Sequence, residues 1–149
     1  DFAPPCMHGG CTPSDEYVTA MADGVIVRTE TGLVIQDLDG DGDEHTGWEI
    51  LYLHIASQDM IANGTMVKTG DPIGHPSCEG GDATGTHVHI ARKYNGEWVP
   101  ADGPLAFNLE GWIAHNGAKP YLGSLTRFNH TVTANDGSSS ISHIQSEGQ

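Results

Sequence analysis

No stretch of the sequence sustains a helical hydrophobic period, and this limits the fold more than any other feature. Apolar residues come instead in short runs over residues 25–29, 33–37 and 48–55, separated by turn-forming residues. The 20 glycines and 8 prolines, with 37% hydrophobic residues, are typical of many short strands joined by turns. We therefore expect an all-β fold, a two-layer antiparallel β-sandwich with long loops.

The chain has 149 residues, which is enough for one domain with a hydrophobic core. We expect a single β domain over residues 1–134. From residue 135 the sequence is rich in Ser and Gly, which favours a flexible or docking tail over residues 135–149. Because no window of about 18 apolar residues occurs, we expect no membrane span.

The net charge is −14, from 6 basic and 20 acidic residues. Binding of nucleic acid depends on Lys and Arg neutralising phosphates, so this balance argues against a nucleic-acid partner. An acidic surface of this kind is otherwise typical of a well-solvated protein.

Two histidines, His87 and His89, alternate with Val88 and Ile90 in a short run of β-type sequence. Side chains two residues apart on a strand share one face, so the two imidazoles are expected side by side. Such a pair can divide its work, with one ring binding a metal and the other moving protons. Taken alone, the motif also fits an exposed polar strand face.

The residues around this motif resemble those of a known family. The sequence CEGGDATGTHVH over residues 78–89 is followed by Tyr-Asn-Gly over 94–96, and ILYLHI occupies residues 50–55. Asp-Phe-Ala over residues 1–3 and the turns near residues 22–27 and 63–74 fit the same pattern. Over roughly residues 1–100, the chain is similar to lysostaphin-type zinc metalloendopeptidases that cut peptidoglycan, in their staphylolysin-like branch.

This resemblance implies a zinc site with Asp1 and His89 as ligands, in a groove over one sheet. His87 is then the general base that takes a proton from zinc-activated water. His54 is the residue that stabilises the oxyanion or protonates the leaving amine. The implied substrate is a peptidoglycan peptide or another Gly-rich peptide.

One ligand of the family pattern, a histidine upstream of the aspartate, has no counterpart because the sequence begins at Asp1. We expect that an N-terminal segment has been lost or that the metal is no longer used. His8 is a candidate substitute. The absent ligand also supports an alternative function, a catalytically inactive peptidase-like scaffold that acts as an extracellular structural or binding module.

The three cysteines allow one intrachain disulfide at a time. If Asp1 and His89 share a metal, as the resemblance implies, the chain after Asp1 lies near the loop before His87, which favours Cys11–Cys78. A Cys6–Cys11 bond is the alternative. Either bond indicates a secreted or extracytoplasmic protein, bacterial by the resemblance. The spare Cys6 or the tail could then serve self-assembly.

An acidic loop over residues 37–44 is the second candidate site. Alternating oxygen donors with glycines at a sharp turn are what a calcium loop requires. Its spacing departs from the EF-hand because Trp48 stands where a bidentate carboxylate is needed. We expect calcium at a β-hairpin tip, with these candidate ligands: Asp37, Asp39, Asp41, Asp43 and Glu44.

The turn over residues 67–74 also allows a lipoyl- or biotinyl-carrier-like domain. Carrier domains present their lysine at an exposed hairpin tip. Lys68 instead adjoins Val67 in what reads as a core turn, which argues against a carrier.

Overall fold

A computed structural model describes residues 1–5, 9–135 and 141–145. Its contacts divide the chain into two compact units, Asp1–Trp98 and Val99–Gln149. The prediction of a single domain over residues 1–134 stays a prediction. Within the described ranges, no helix is long and apolar enough to cross a membrane.

In the first unit, eight strands lie among the residues that the structure describes. They are β1 (Val18–Thr19), β2 (Gly24–Glu30), β3 (Gly32–Asp37), β4 (Trp48–Ile55), β5 (Met66–Val67), β6 (Pro72–Gly74), β7 (His89–Tyr94) and β8 (Glu97–Trp98). Six of them form an antiparallel sheet in the order β5-β2-β3-β4-β7-β8, and β1 and β6 form a separate two-stranded ribbon.

The core of this unit lies on one face of the large sheet. Ile26, Val34 and Tyr52 come from neighbouring strands and are 0% exposed. Val18 of the ribbon strand β1 and Ile73 of β6 belong to the same cluster, so the ribbon forms a second, smaller layer. Burying each of these side chains contributes about 1.5–3 kcal/mol. The expected two-layer, all-β architecture is confirmed.

A buried polar pair sits in this apolar layer. The Tyr52 hydroxyl donates to Gln36 Oε1 at 2.8 Å and accepts the Met21 amide at 2.9 Å. The Gln36 amide donates to the Ala22 carbonyl at 2.6 Å. Because each of these polar groups has a partner, their burial costs little. Burial raises the pKa of Tyr52, which keeps the phenol neutral.

The described residues of the second unit form four strands, β9 (Asn108–Leu109), β10 (Trp112–His115), β11 (Ser124–Arg127) and β12 (His130–Thr133). They form an antiparallel sheet in the order β12-β11-β10-β9. None of the apolar runs identified in the sequence predicts these strands. These strands span two to four residues, too few for alternation to register in the sequence.

Candidate active site

Three strand pairings bring four predicted site residues together. Leu53 of β4 is opposite His89 of β7, which places the neighbouring His54 beside that strand. An isolated bridge between Phe2 and Val88 brings Asp1 to the same place. The strand β7 begins at His89, and His87 precedes it in a bridge to Ser77.

Asp1 and His89 meet directly. The His89 Nδ1 atom lies 2.7 Å from Asp1 Oδ1, with the two side chains 45% and 32% exposed. The His87 Nε2 atom lies 3.8 Å from the same oxygen. Burial lowers the pKa of His89, which favours the neutral imidazole that binds metal ions.

His87 is oriented by its own loop. Its Nδ1 lies 2.8 Å from the Gly85 carbonyl oxygen, which can only accept a hydrogen bond. The proton of the neutral ring is therefore on Nδ1. Nε2, on the side of Asp1, keeps its lone pair and can accept a proton.

His54 is oriented in the same manner by a different loop. Its Nδ1 donates to the Glu79 carbonyl oxygen at 2.9 Å, and its ring lies 4.5 Å from the His87 ring between centroids. Burial lowers the pKa of His54, the hydrogen bond to Glu79 opposes this shift, and the nearby charge of His87 when protonated adds to it. At neutral pH the ring is uncharged, with Nε2 as an acceptor.

The donor atoms of Asp1 and His89 are of the chemical types that bind zinc. A carboxylate oxygen of Asp1 and an imidazole nitrogen of His89 are both common zinc ligands, and both remain partly accessible. Catalytic zinc sites usually take three protein ligands, of which these residues would supply two. Within the described part of the chain, the only group of three close metal-type donors is Asp37, Asp39 and Asp41. His8 lies outside the described residues.

The acidic loop follows β3, and three of its five predicted calcium ligands lie close together. Oxygens of Asp37, Asp39 and Asp41 lie within 4.8 Å of one another. Asp43 instead accepts from the backbone amide of His45 and contacts that imidazole at 3.1 Å. Glu44 pairs with Arg28 at 3.2 Å. Calcium binding here stays a prediction.

The predicted Cys11–Cys78 disulfide is confirmed. It links the N-terminal segment to the loop that leads to His87. Beside it, the Thr86 amide donates to the Gly10 carbonyl at 3.0 Å. Cys6 lies outside the described residues, so its proposed role in self-assembly stays a prediction.

Sequence reasoning missed three residues around His54. Ser77 and Ser57 contact the loop of Glu79, and Glu79 contacts the His54 ring. The only sequence signal for them is their position next to Cys78 and shortly after His54. Their mutual contacts come from tertiary pairing, which no local pattern encodes.

A model of peptidase family M23 matches residues 11–101, more than half of the chain. Protease LasA from two strains of Pseudomonas aeruginosa is 34% identical over 65 residues, covering 39% of this chain and 15% of LasA. The chain thus spans a small part of the length of these curated relatives.

A solved structure described as a novel M23 metalloprotease, pseudoalterin, from the deep sea has a TM-score of 0.66 and 22% identity. The likeness covers 85% of this chain and 74% of that one, and it shows the fold. Together with the match to the family model, it leads to one conclusion: the chain belongs to the lysostaphin-type peptidase family M23.

Proposed function

We propose that this protein is a secreted zinc metalloendopeptidase that hydrolyses peptide bonds of bacterial peptidoglycan. The observation that carries the proposal is the meeting of Asp1, His87 and His89, with His87 Nε2 3.8 Å from the Asp1 carboxylate and His87 Nδ1 bonded to the Gly85 carbonyl. Membership of the peptidase family supports a peptide substrate. The disulfide supports an oxidising compartment outside the cytoplasm.

In this proposal Asp1 and His89 hold zinc, which when bound polarises a carbonyl and lowers the pKa of coordinated water toward about 7. His87 accepts a proton at Nε2, the position that its bond to Gly85 leaves free. The hydrogen bond from Nδ1 to the Gly85 carbonyl fixes the orientation of the ring and so the position of Nε2.

His54 has a more limited choice of roles. Because Nδ1–H is committed to Glu79, the neutral ring has no second N–H to offer an oxyanion. It can donate from Nε2 only after it has gained a proton there. We therefore assign His54 to proton transfer, with the leaving amine as the acceptor of the proton, and to oxyanion stabilisation only as the imidazolium.

Substitution of His87 tests the proposal. General acid–base groups contribute about 10²- to 10⁴-fold to rate, so we expect His87→Gln to lower kcat on peptidoglycan or a pentaglycine peptide by at least about 100-fold. The free energy of unfolding should change little because the ring is partly exposed. His45→Gln serves as the matched control, since His45 is exposed and lies just after the acidic loop. If His87→Gln retained the wild-type kcat, His87 would not be the general base.

The alternative is an inactive scaffold, favoured by one observation. Among the residues that the structure describes, Asp1 and His89 supply two donors where a catalytic zinc site takes three. Elemental analysis after dialysis against metal-free buffer separates the two functions. About one zinc per chain supports the enzyme, and no retained zinc together with no hydrolysis supports the scaffold.

A further inference from the structure

His54 has an unusual backbone conformation for a strand residue. Its φ is +68°, in the left-handed region, which costs an L-residue about 1–2 kcal/mol. Its carbonyl accepts two hydrogen bonds from Ser77, from the amide at 2.7 Å and from the hydroxyl at 3.0 Å. The surrounding loop therefore holds His54 in a conformation that the residue alone would avoid.

The contact to the imidazole itself comes from Glu79. This residue uses its main-chain oxygen for His54 Nδ1–H, and its amide donates to the Ser77 hydroxyl at 3.0 Å. Its carboxylate accepts hydrogen bonds from the Ser57 amide at 3.0 Å and from the Ser57 hydroxyl. The main-chain oxygen, the amide and the carboxylate of Glu79 thus all form hydrogen bonds near the His54 imidazole.

The backbone of Glu79 also has little room to move away from His54. A Cβ added to Gly32 would lie 2.3 Å from the Glu79 carbonyl carbon, so this strand end packs directly against it. The preceding residue, Cys78, is held by the disulfide to Cys11. The carbonyl that orients the ring is therefore enclosed by β3 and by a covalent crosslink.

The side-chain bonds of Glu79 have no evident role in the core. Ser57 is exposed and Glu79 is half-buried, so their bonds lie at the protein surface. A surface bond of this kind adds about 1 kcal/mol or less to stability. A carboxylate that binds a backbone amide and a hydroxyl does, however, fix the distance between the loop that carries it and the chain after His54.

We propose that Glu79, anchored through its carboxylate to Ser57, is a positioning residue for His54 that holds the proton of that imidazole on Nδ1 and directs Nε2 to the reacting atoms. This inference rests on the proposed peptidase function. Glu79 acts through His54 and touches no reacting atom. The Ser57–Glu79 pair acts together with β3 and the disulfide to hold the orienting carbonyl in place, and that carbonyl determines the tautomer.

The test compares Glu79→Ala with Glu79→Gln in the zinc-loaded full chain. Alanine removes the anchor, so we expect kcat to fall about 10-fold, or about 1.4 kcal/mol, with KM unchanged. Glutamine keeps an oxygen that accepts the Ser57 amide, so we expect it to restore kcat to within about 3-fold of the wild type. Glu97→Ala, at an exposed position of β8, is the matched control and should leave kcat unchanged.

A second readout does not depend on activity. Nitrogen-15 NMR of the histidine rings reports which nitrogen of His54 carries the proton, and we expect Glu79→Ala to shift population from the Nδ1–H to the Nε2–H tautomer. Ser57→Ala, which removes one hydroxyl and keeps the amide donor, should shift it less. An unchanged tautomer in Glu79→Ala, with dispersed amide spectra, would overturn the proposal. If the wild type hydrolyses nothing while the tautomer shifts as expected, the proposed function fails and the positioning of His54 stands.

Discussion

At the scale of the residue, Glu49 is a carboxylate held away from water in the sheet. It lies on β4 opposite Asp37 of β3 and Lys93 of β7, and is 2% exposed. Its Oε1 has no hydrogen-bond partner in the described part of the chain. Burial raises the pKa of Glu49, the charge of Lys93 opposes the rise, and repulsion from Glu44 adds to it.

We expect Glu49→Gln to raise the free energy of unfolding at neutral pH. The folded-state pKa lies above the ordinary value of 4.5, so ionised Glu49 opposes folding at pH values above its folded pKa. This cost disappears once the pH falls below the unfolded pKa. Urea unfolding should show the gain at pH 7 and its loss near about pH 4. A variant less stable than the wild type at pH 7, with the exposed Glu97→Gln unchanged, would contradict this.

At the scale of the element, the disulfide joins the N-terminal segment to the loop before β7. It links residues 67 apart, for which the chain-entropy account gives about 4 kcal/mol of stabilisation. We expect Cys11→Ser with Cys78→Ser to lower the free energy of unfolding by about 2–5 kcal/mol in urea. Reduction should destabilise the wild type equally and leave the double variant unaffected. Equal stability of the variant and the oxidised wild type would contradict the expectation.

The turn between β3 and β4 carries its own prediction. Asp37, Asp39 and Asp41 repel one another without a cation, so we expect millimolar calcium to raise the melting temperature. Calcium at about 100 times its Kd would add about 2.7 kcal/mol. Asp41→Asn should reduce the rise, and the exposed Asp15→Asn should not. If calcium left the melting temperature of the wild type unchanged, the prediction of a calcium site would be wrong.

At the scale of the whole molecule, each sheet lies within one compact unit. The six-stranded sheet, the ribbon and the apolar cluster all belong to residues 1–98. Because this part has its own core, we expect the fragment 1–98 to fold alone. Dispersed amide spectra and a single cooperative urea transition would show this. A fragment without a cooperative transition would show that the unit needs residues 99–149.

Much of the first unit could be predicted because its signals are local. The strand over residues 48–55 has its predicted bounds, since a run of apolar residues between turns suffices to define it. The resemblance named Asp1, His54, His87 and His89, and the structure brings these four together. The short strands of the second unit carried no such signal, and their sheet was missed.

The sequence by itself determined the all-β class, because turn residues encode short strands locally. The family resemblance supplied the candidate site residues and favoured Cys11–Cys78, while Cys6–Cys11 stayed open until the structure showed the bond. Only the tertiary structure decided how the imidazoles of His54 and His87 are oriented. The tautomer of His54 depends on a carbonyl 25 residues away, and Glu49 stands opposite Asp37 and Lys93 only because their strands pair. These properties arise when distant backbone groups meet, and a hydrogen bond between such groups exists only after the sheet has formed.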